Sequence, residues 1–525
     1  MSERGARRRL AAALVWILVV VIAAVLFKLI FLPKKQAKLM DATGSESIYA
    51  HDVRLAADSF SGYCIFRSDT MQGYLRDSGI RLTVVDDKAD YAGRIKALRR
   101  GDVQMAVFTI DSFVKASALL GEYPATIVAI IDETKGADAI VAYKSAVPNI
   151  DALNNPAARM VLTADSPSEF LGRIVLAHFS LPQLPEQWWL PADGAADVLA
   201  RLKAGARDGP RAFILWEPYV SMALEDKEVH VLLDSSKIQG YIVDVLVAQR
   251  DFLRDNHAVV KSVVEAYFRA LYAADSQKGG MQEAVLGDSN KAGAEVLTKP
   301  QVERLVVGIQ WKNTLENYAH FGLAGKSVAA SGGLWYIEDT IRNIVKVLRA
   351  TKALDEDPAG GRIVELFYAK IVAEMQTERF HPARQFTILD TGGDAPQAVR
   401  AVQELPALDD AQWGMLVPVG MLKVEPISFA RGTATVSVQS RRDLEELAAH
   451  LKSWPQYYLI VTGHARAEGD VAENLRLAQA RADAASACLH SLGIVAHRIR
   501  TNAAQPSIAG GAAQSVSFTV GQLPY

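Results

Sequence analysis

The chain has 525 residues, 57 Lys and Arg against 59 Asp and Glu, a formal net charge of −2, and half of its residues apolar. That length accommodates two to four domains with separate cores, and the balanced charge, with no basic run interleaved with aromatics, argues against nucleic acid as a partner. Cys64 and Cys488 fall in different predicted domains, so no structural disulfide is expected, and neither stands near a histidine pattern that suggests a metal site.

Residues 1–9 form a basic segment with Arg4, Arg7, Arg8 and Arg9. The uncharged apolar run from Leu10 to Phe27, prolonged past Lys28 by Leu29 to Leu32, is long enough to cross a hydrocarbon core of about 30 Å once. Residues 10–32 are therefore read as an uncleaved anchor. The preceding arginines favour a cytoplasmic N-terminus and export of the rest. Residues 33–52 are a linker.

From Val53 the spacing predicts alternating strands and helices, with strands at 53–60, 80–86 and 103–109 and an amphipathic helix over 90–102 stopped near Gly101. This β-α-β-α-β order predicts a parallel sheet covered by helices. A second cycle is expected to start with the strand 125–133 and to run through 137–144, 159–165, 211–218, 229–236 and 241–250. Two α/β lobes joined by crossing segments would enclose a cleft. Residues 275–375 read mostly helical, and KPQVERLVVGIQW and IEDTIRNIVKVLRATKAL are clear amphipathic pieces. Gly392-Gly393, Pro396 and Pro406 interrupt the pattern over 376–420, a predicted connector. A last α/β unit covers 421–525.

The segment FILWEPYVSMAL (213–224), with the strands and long helix after it, resembles the substrate-binding proteins of nitrate, sulfonate and taurine-type ABC importers. Trp216-Glu217-Pro218-Tyr219 is its sharpest local match. The resemblance spans 53–375 and implies a two-lobed α/β module with a small-molecule site between the lobes. Strand-end loops face such a cleft, so Ser59, Phe60, Ser61, Gly62, Thr109 and Asp111 are candidates from the first lobe. Asp111 either selects an amino group or caps its helix. Ser166 and Ser168 open a helix whose N-terminus suits an anion, although Ser168 alone also reads as an N-cap. Trp216 and Glu217 serve either as ligand wall and acceptor or as packing residues.

The stretch KVEPISFARGTATVSVQS through RLAQARADAASACLHSLGI is similar to the OmpA-like domain of outer-membrane proteins and peptidoglycan-associated lipoproteins. Ile427, Phe429, Gly432, Gly463, His464, Asn474, Leu477, Arg481 and Ala482 carry that likeness. It implies peptidoglycan recognition through Gly463, His464, Asn474 and Arg481. This sequence departs from the pattern at Arg466, where the family has an Asp to hold the stem-peptide amine.

The fold class expected is thus α/β: an N-terminal transmembrane helix, a two-lobed periplasmic-binding-protein-like module and a C-terminal α/β OmpA-like domain. No nucleophile elbow, HExxH, P-loop or dinucleotide fingerprint occurs, which argues for a binder and not an enzyme, without cofactor or metal. The implied role is a single-pass inner-membrane protein with its bulk in the periplasm that captures a small solute, with an anion among the candidates, in uptake, sensing or envelope tethering. Its implied partners are that solute, peptidoglycan, the inner membrane and a permease or signalling protein. A structural scaffold without a solute, and an enzyme using the cleft, are the competing readings.

Overall fold

The computed structural model describes residues 49–205, 209–291, 297–324, 336–383, 405–430, 432–466, 468–505 and 515–524. The predicted anchor, Leu10 to Leu32, lies outside them. Among the described residues no helix is long and apolar enough to cross a membrane.

In the first lobe, β1 (His51–Ala56), β2 (Ile80–Val85) and β3 (Met105–Thr109) are parallel, as their connecting helices require. The helix α1 (Tyr91–Arg100) between β2 and β3 starts where Asp90 accepts the Gly93 N–H, and it stops at Gly101, whose φ of 75° suits glycine. Helix α2 (Ile110–Leu120) leaves β3 directly. The full sheet order is β2-β1-β3-β10-β4-β11, with β4 (Ala125–Thr134), β10 (Val243–Gln249) and β11 (Ile309–Trp311). All ten residues of β4 are buried, because helices cover both faces of the sheet.

Two expectations are corrected here. The sheet is mixed, not parallel, since β10 runs antiparallel to both β3 and β4. The strand at 125–133 also belongs to the first lobe and not to a second cycle: local spacing cannot tell which distant strand a buried apolar run will pair with. The chain leaves the first lobe after Thr134 and returns between Asp234 and Val243, so two crossing segments form the hinge. A third difference is β11, read from sequence as part of a helix. The helix over 299–308 ends at Gly308, where an added Cβ would stand 3.1 Å from the Ala137 N, and the chain departs extended against β4.

The second lobe is a five-stranded sheet in the order β7-β6-β8-β5-β9, made of β5 (Asp138–Tyr143), β6 (Arg159–Thr163), β7 (Trp189–Ala192), β8 (Arg211–Trp216) and β9 (Val229–Asp234). Helix α3 (Pro167–His178) packs against it. Helices α4 (His257–Asp275), α5 (Gly280–Lys291) and α6 (Ile337–Ala350) return to the first lobe's side of the hinge, and α6 also touches α3.

The C-terminal domain has the sheet order β12-β15-β13-β14, with β12 (Val417–Met421), β13 (Tyr458–Gly463), β14 (Ile499–Ala503) and β15 (Val516–Gln522), and the helices α7 (Val438–Lys452) and α8 (Val471–Ser491). The predicted connector therefore ends early: its last residues supply the edge strand β12. Cys64 and Cys488 are buried free thiols in separate domains.

This domain is seated on the second lobe. Lys423 N–H donates to His178 O (2.7 Å), Ser180 N–H to Met421 O (3.0 Å) and Met421 N–H to Asp151 Oδ1 (2.8 Å). Trp454, 1% exposed, lies 5.0 Å from the His178 ring and 5.4 Å from Phe179. Gln239, on the returning hinge segment, donates its N–H to Ser453 O (2.7 Å).

Candidate functional site

A cavity of about 290 Å³ lies between the two lobes at the hinge. The loop after β1 contributes Asp58, Ser59, Phe60, Ser61 and Tyr63; the loop after β2 contributes Asp86, Lys88 and Ala89, with Tyr91 opening α1. Lys88 and Ala89 have φ of 57° and 61°, consecutive left-handed residues of the kind that concentrate at binding loops. Thr109 and Thr134 stand at strand ends, Ile242 on the returning hinge segment and Asp244 on β10. From the second lobe come Asp138, Ser166, Pro167 and the turn Trp216-Glu217-Pro218-Tyr219, whose Glu217–Pro218 peptide is cis. Helix α5 closes one side with Asp288 and Ser289.

The walls are held by buried charge. Arg94, on α1, donates to Asp58 Oδ2 (2.9 Å), to Asp87 Oδ2 (2.6 Å) and to the Val107 carbonyl, and its guanidinium lies 4.7 Å from the Tyr91 ring. It thus ties the loops after β1 and β2 to β3. Arg67 grips Asp288 with two bonds of 2.6 Å and the Asp58 and Phe60 carbonyls at 2.8 and 3.0 Å, fixing α5 to the loop after β1. Tyr63 donates its hydroxyl to Asp244, and Phe60 meets Tyr63 edge-on at 5.3 Å. Across the cleft, Lys115 of α2 bridges to Asp165 (2.7 Å) and Glu169 (2.8 Å) of the second lobe.

Burial raises several of these carboxyls: Asp138 to about 7 and Asp244 to about 6, with Asp132 behind them raised well above the usual range. Glu217 is also raised by burial, though Ser221 donates to it from both N–H (3.1 Å) and hydroxyl (2.7 Å). The Thr134 hydroxyl is buried beside the Asp138 carboxyl.

Of the residues singled out from sequence, Ser59, Phe60, Ser61, Thr109, Ser166, Trp216 and Glu217 line this cavity. Gly62, Asp111 and Ser168 do not. A Cβ on Gly62 would come within 2.6 Å of Asp132 Oδ2, so its role is to admit that carboxyl; its own carbonyl accepts from Trp311 Nε1 (2.8 Å). Asp111 is buried in the first turn of α2, where burial lifts it to about 7, and it neither caps the helix nor reaches the cleft.

Ser168 is wholly buried, and the N-cap is Ser166, which accepts the Ser168 N–H (3.2 Å). Glu169, in the first turn of α3, folds back to accept the Asp165 N–H (2.7 Å). Sequence reasoning missed Asp58, Tyr63, Asp86, Lys88, Tyr91, Asp138, Asp244 and Asp288. The strand-end rule reaches Asp58 and Asp86, but no local signal brings Asp288 from α5 to this loop.

In the C-terminal domain, Arg481 is 1% exposed and its guanidinium donates to Thr433 O (3.1 Å) and His464 O (3.0 Å) over the Phe429 ring. It ties the turn at Thr433 to the end of β13, and neither Asp483 nor Glu468 pairs with it. His464 Nε2 bonds the Ser517 hydroxyl (2.9 Å), and Asn474 donates to Glu468 O (2.8 Å), pinning the loop that carries exposed Arg466.

A Cβ on Gly463 would stand 1.9 Å from the Ala478 carbonyl oxygen, so β13 contacts α8 backbone to backbone. Gly463→Ala is expected to destabilise the C-terminal domain by about 2–4 kcal/mol, at or above the usual cost of overpacking. Calorimetry of the full chain checks this, and an unchanged C-terminal transition would contradict that close contact.

Residues 428–513 match the OmpA family. No curated protein matches the chain. Among solved structures, the alkanesulfonate-binding protein SsuA from Xanthomonas axonopodis pv. citri bound to MOPS is 15% identical, with a TM-score of 0.46 over 61% of this chain and 99% of that one. The periplasmic aliphatic sulphonate binding protein SsuA from Escherichia coli is 16% identical (TM-score 0.44, 62% and 99%). The periplasmic nitrate-binding protein NrtA from Synechocystis PCC 6803 is 12% identical (TM-score 0.40, 58% and 91%).

Proposed function

We propose that this protein is a membrane-anchored solute-binding protein of the cell envelope whose C-terminal domain contacts peptidoglycan. The observation that carries the solute reading is the cavity at the hinge: both lobes, the crossing strands and α5 each place polar side chains on it, and Lys115 bridges the lobes beside it. Such an arrangement encloses a small molecule by hinge closure. Membrane attachment rests on the apolar run from Leu10 to Leu32. Wall contact is supported by the OmpA-family match at 428–513.

Two experiments test the two halves. A periplasmic small-molecule extract should raise the melting temperature of the full chain in detergent, since a ligand at 100 times its Kd stabilises by about 2.7 kcal/mol; an extract with no effect would remove the solute reading. For the wall, Arg466 sets a cation where the family has an amine-binding Asp, and like charges a few ångströms apart repel by about 1 kcal/mol in water. Arg466→Asp should therefore strengthen retention on isolated sacculi by about five- to thirtyfold, the equivalent of about 1–2 kcal/mol. Retention that this change leaves untouched would show that peptidoglycan, if bound, is held elsewhere.

A further inference from the structure

We infer that the solute is an organic cation, an amine or protonated heterocycle carrying a flat apolar body, and not an anion; the inference rests on the solute-binding reading above. Six carboxyls line the cavity, from Asp58, Asp86, Asp138, Glu217, Asp244 and Asp288, and one ammonium, that of Lys88. Two of the six have dedicated cations: Arg67 neutralises Asp288, and Arg94 is shared between Asp58 and Asp87. Asp138, Glu217 and Asp244 form no salt bridge among the described residues, although they are 4%, 8% and 1% exposed. Asp138 and Glu217 come from the second lobe and Asp244 from β10 of the first, so closure gathers their charge onto whatever occupies the centre.

Burial favours the neutral form of these carboxyls, raising Asp138 to about 7 and Asp244 to about 6. A cation stabilises their ionised forms and so releases their protons, whereas an anion opposes that ionisation and meets only the Lys88 ammonium on the lining. The walls fit the same ligand. Phe60, Tyr63, Tyr91, Trp216 and Tyr219 face the cavity from both lobes, and aromatic faces attract cations and stack on flat bodies.

A metal ion is a poorer occupant, because among the described residues no group of three or more His, Cys, Asp or Glu is placed to ligate one. The helix N-terminus that faces the cleft at Ser166 already has a carboxylate beside it in Glu169.

Isothermal titration of the full chain in detergent tests this with size-matched probes: benzylamine, tyramine and benzyltrimethylammonium against benzyl alcohol, benzoate and benzenesulfonate. The cations should bind at least tenfold tighter than benzyl alcohol, with the anions weakest. Benzylamine binding should release protons, read as a binding enthalpy that changes with the buffer's ionisation enthalpy. Asp138→Asn, which keeps the shape of the side chain, should weaken the cations at least tenfold and leave benzyl alcohol within twofold. Benzoate or benzenesulfonate binding tighter than benzylamine would overturn the inference and leave the solute reading intact. Cation binding indifferent to both Asp138→Asn and Glu217→Gln would overturn it too. Binding of none of the six, together with an inert extract, would remove the solute reading itself.

Discussion

Arg94→Ala is expected to lower the stability of the two-lobed module by about 3–5 kcal/mol, the cost of stripping one partner from a buried ion pair. The Arg94 side chain is fully buried, and among the described residues it is the only cation paired with Asp58 and Asp87, whose side chains are 10% and 18% exposed. Its removal leaves two poorly hydrated carboxylates, an orphaned Val107 carbonyl and a void between the Tyr91 and Phe108 rings. Arg94→Lys keeps the charge but cannot span all three acceptors, so a smaller loss is expected. The measurement is the denaturant midpoint of the module's transition in the full chain. A loss under about 1 kcal/mol for Arg94→Ala would mean that the loops after β1 and β2 are held by other contacts.

Trp454→Ala should be comparably severe, about 3–5 kcal/mol as for other buried aromatics, but with a different signature. Trp454 fills the junction between the C-terminal domain and the second lobe, against His178, Phe179 and Tyr457. The adjacent Ser453 carbonyl holds the hinge amide of Gln239, and Arg498 fastens this turn through the Leu451 carbonyl (2.9 Å) and those of Trp454 and Tyr457. Truncating Trp454 should therefore accelerate hydrogen exchange at the Gln239 amide more than at β6 in the interior of the second lobe. Equal protection of Gln239 in both proteins would show that the hinge contact does not depend on this side chain.

The same junction should weaken in acid. Burial lowers His450 to about 4 and His178 well below its usual value, with Lys346 also disfavouring a proton on either ring and Glu446 opposing at His450. The neutral rings are matched to the folded state, so this contribution is complete above about 6.5 and is lost as pH falls toward 4. Gln239 protection should follow that course.

Much of the scaffold is legible along the chain because its signals are local. The cap Asp90, the stop at Gly101 and the apolar runs of β3, β4, β8 and β10 each specify an element by nearest-neighbour physics, and their α/β alternation announces a two-lobed module. The same holds for the loops after β1 and β8, which end strands and so reach the cleft: Ser59, Phe60, Ser61, Trp216 and Glu217 follow from that rule. Sequence also marks the C-terminal domain, whose motif residues run without a gap from Gly463 to Arg481.

Tertiary structure alone decided the rest. Whether a buried strand pairs parallel or antiparallel depends on partners more than a hundred residues away, as for β4 and β10. Whether Ser168 or Asp111 faces a ligand depends on a helix's rotation against its sheet, and both are turned inward. The sign of the cleft is decided in the same way. A formal charge of −2 over the chain conceals a local excess of carboxyls, because Asp58, Asp138, Asp244 and Asp288 are far apart in sequence and meet only when the hinge and α5 close around one cavity. Burial there raises the cost of each uncompensated charge.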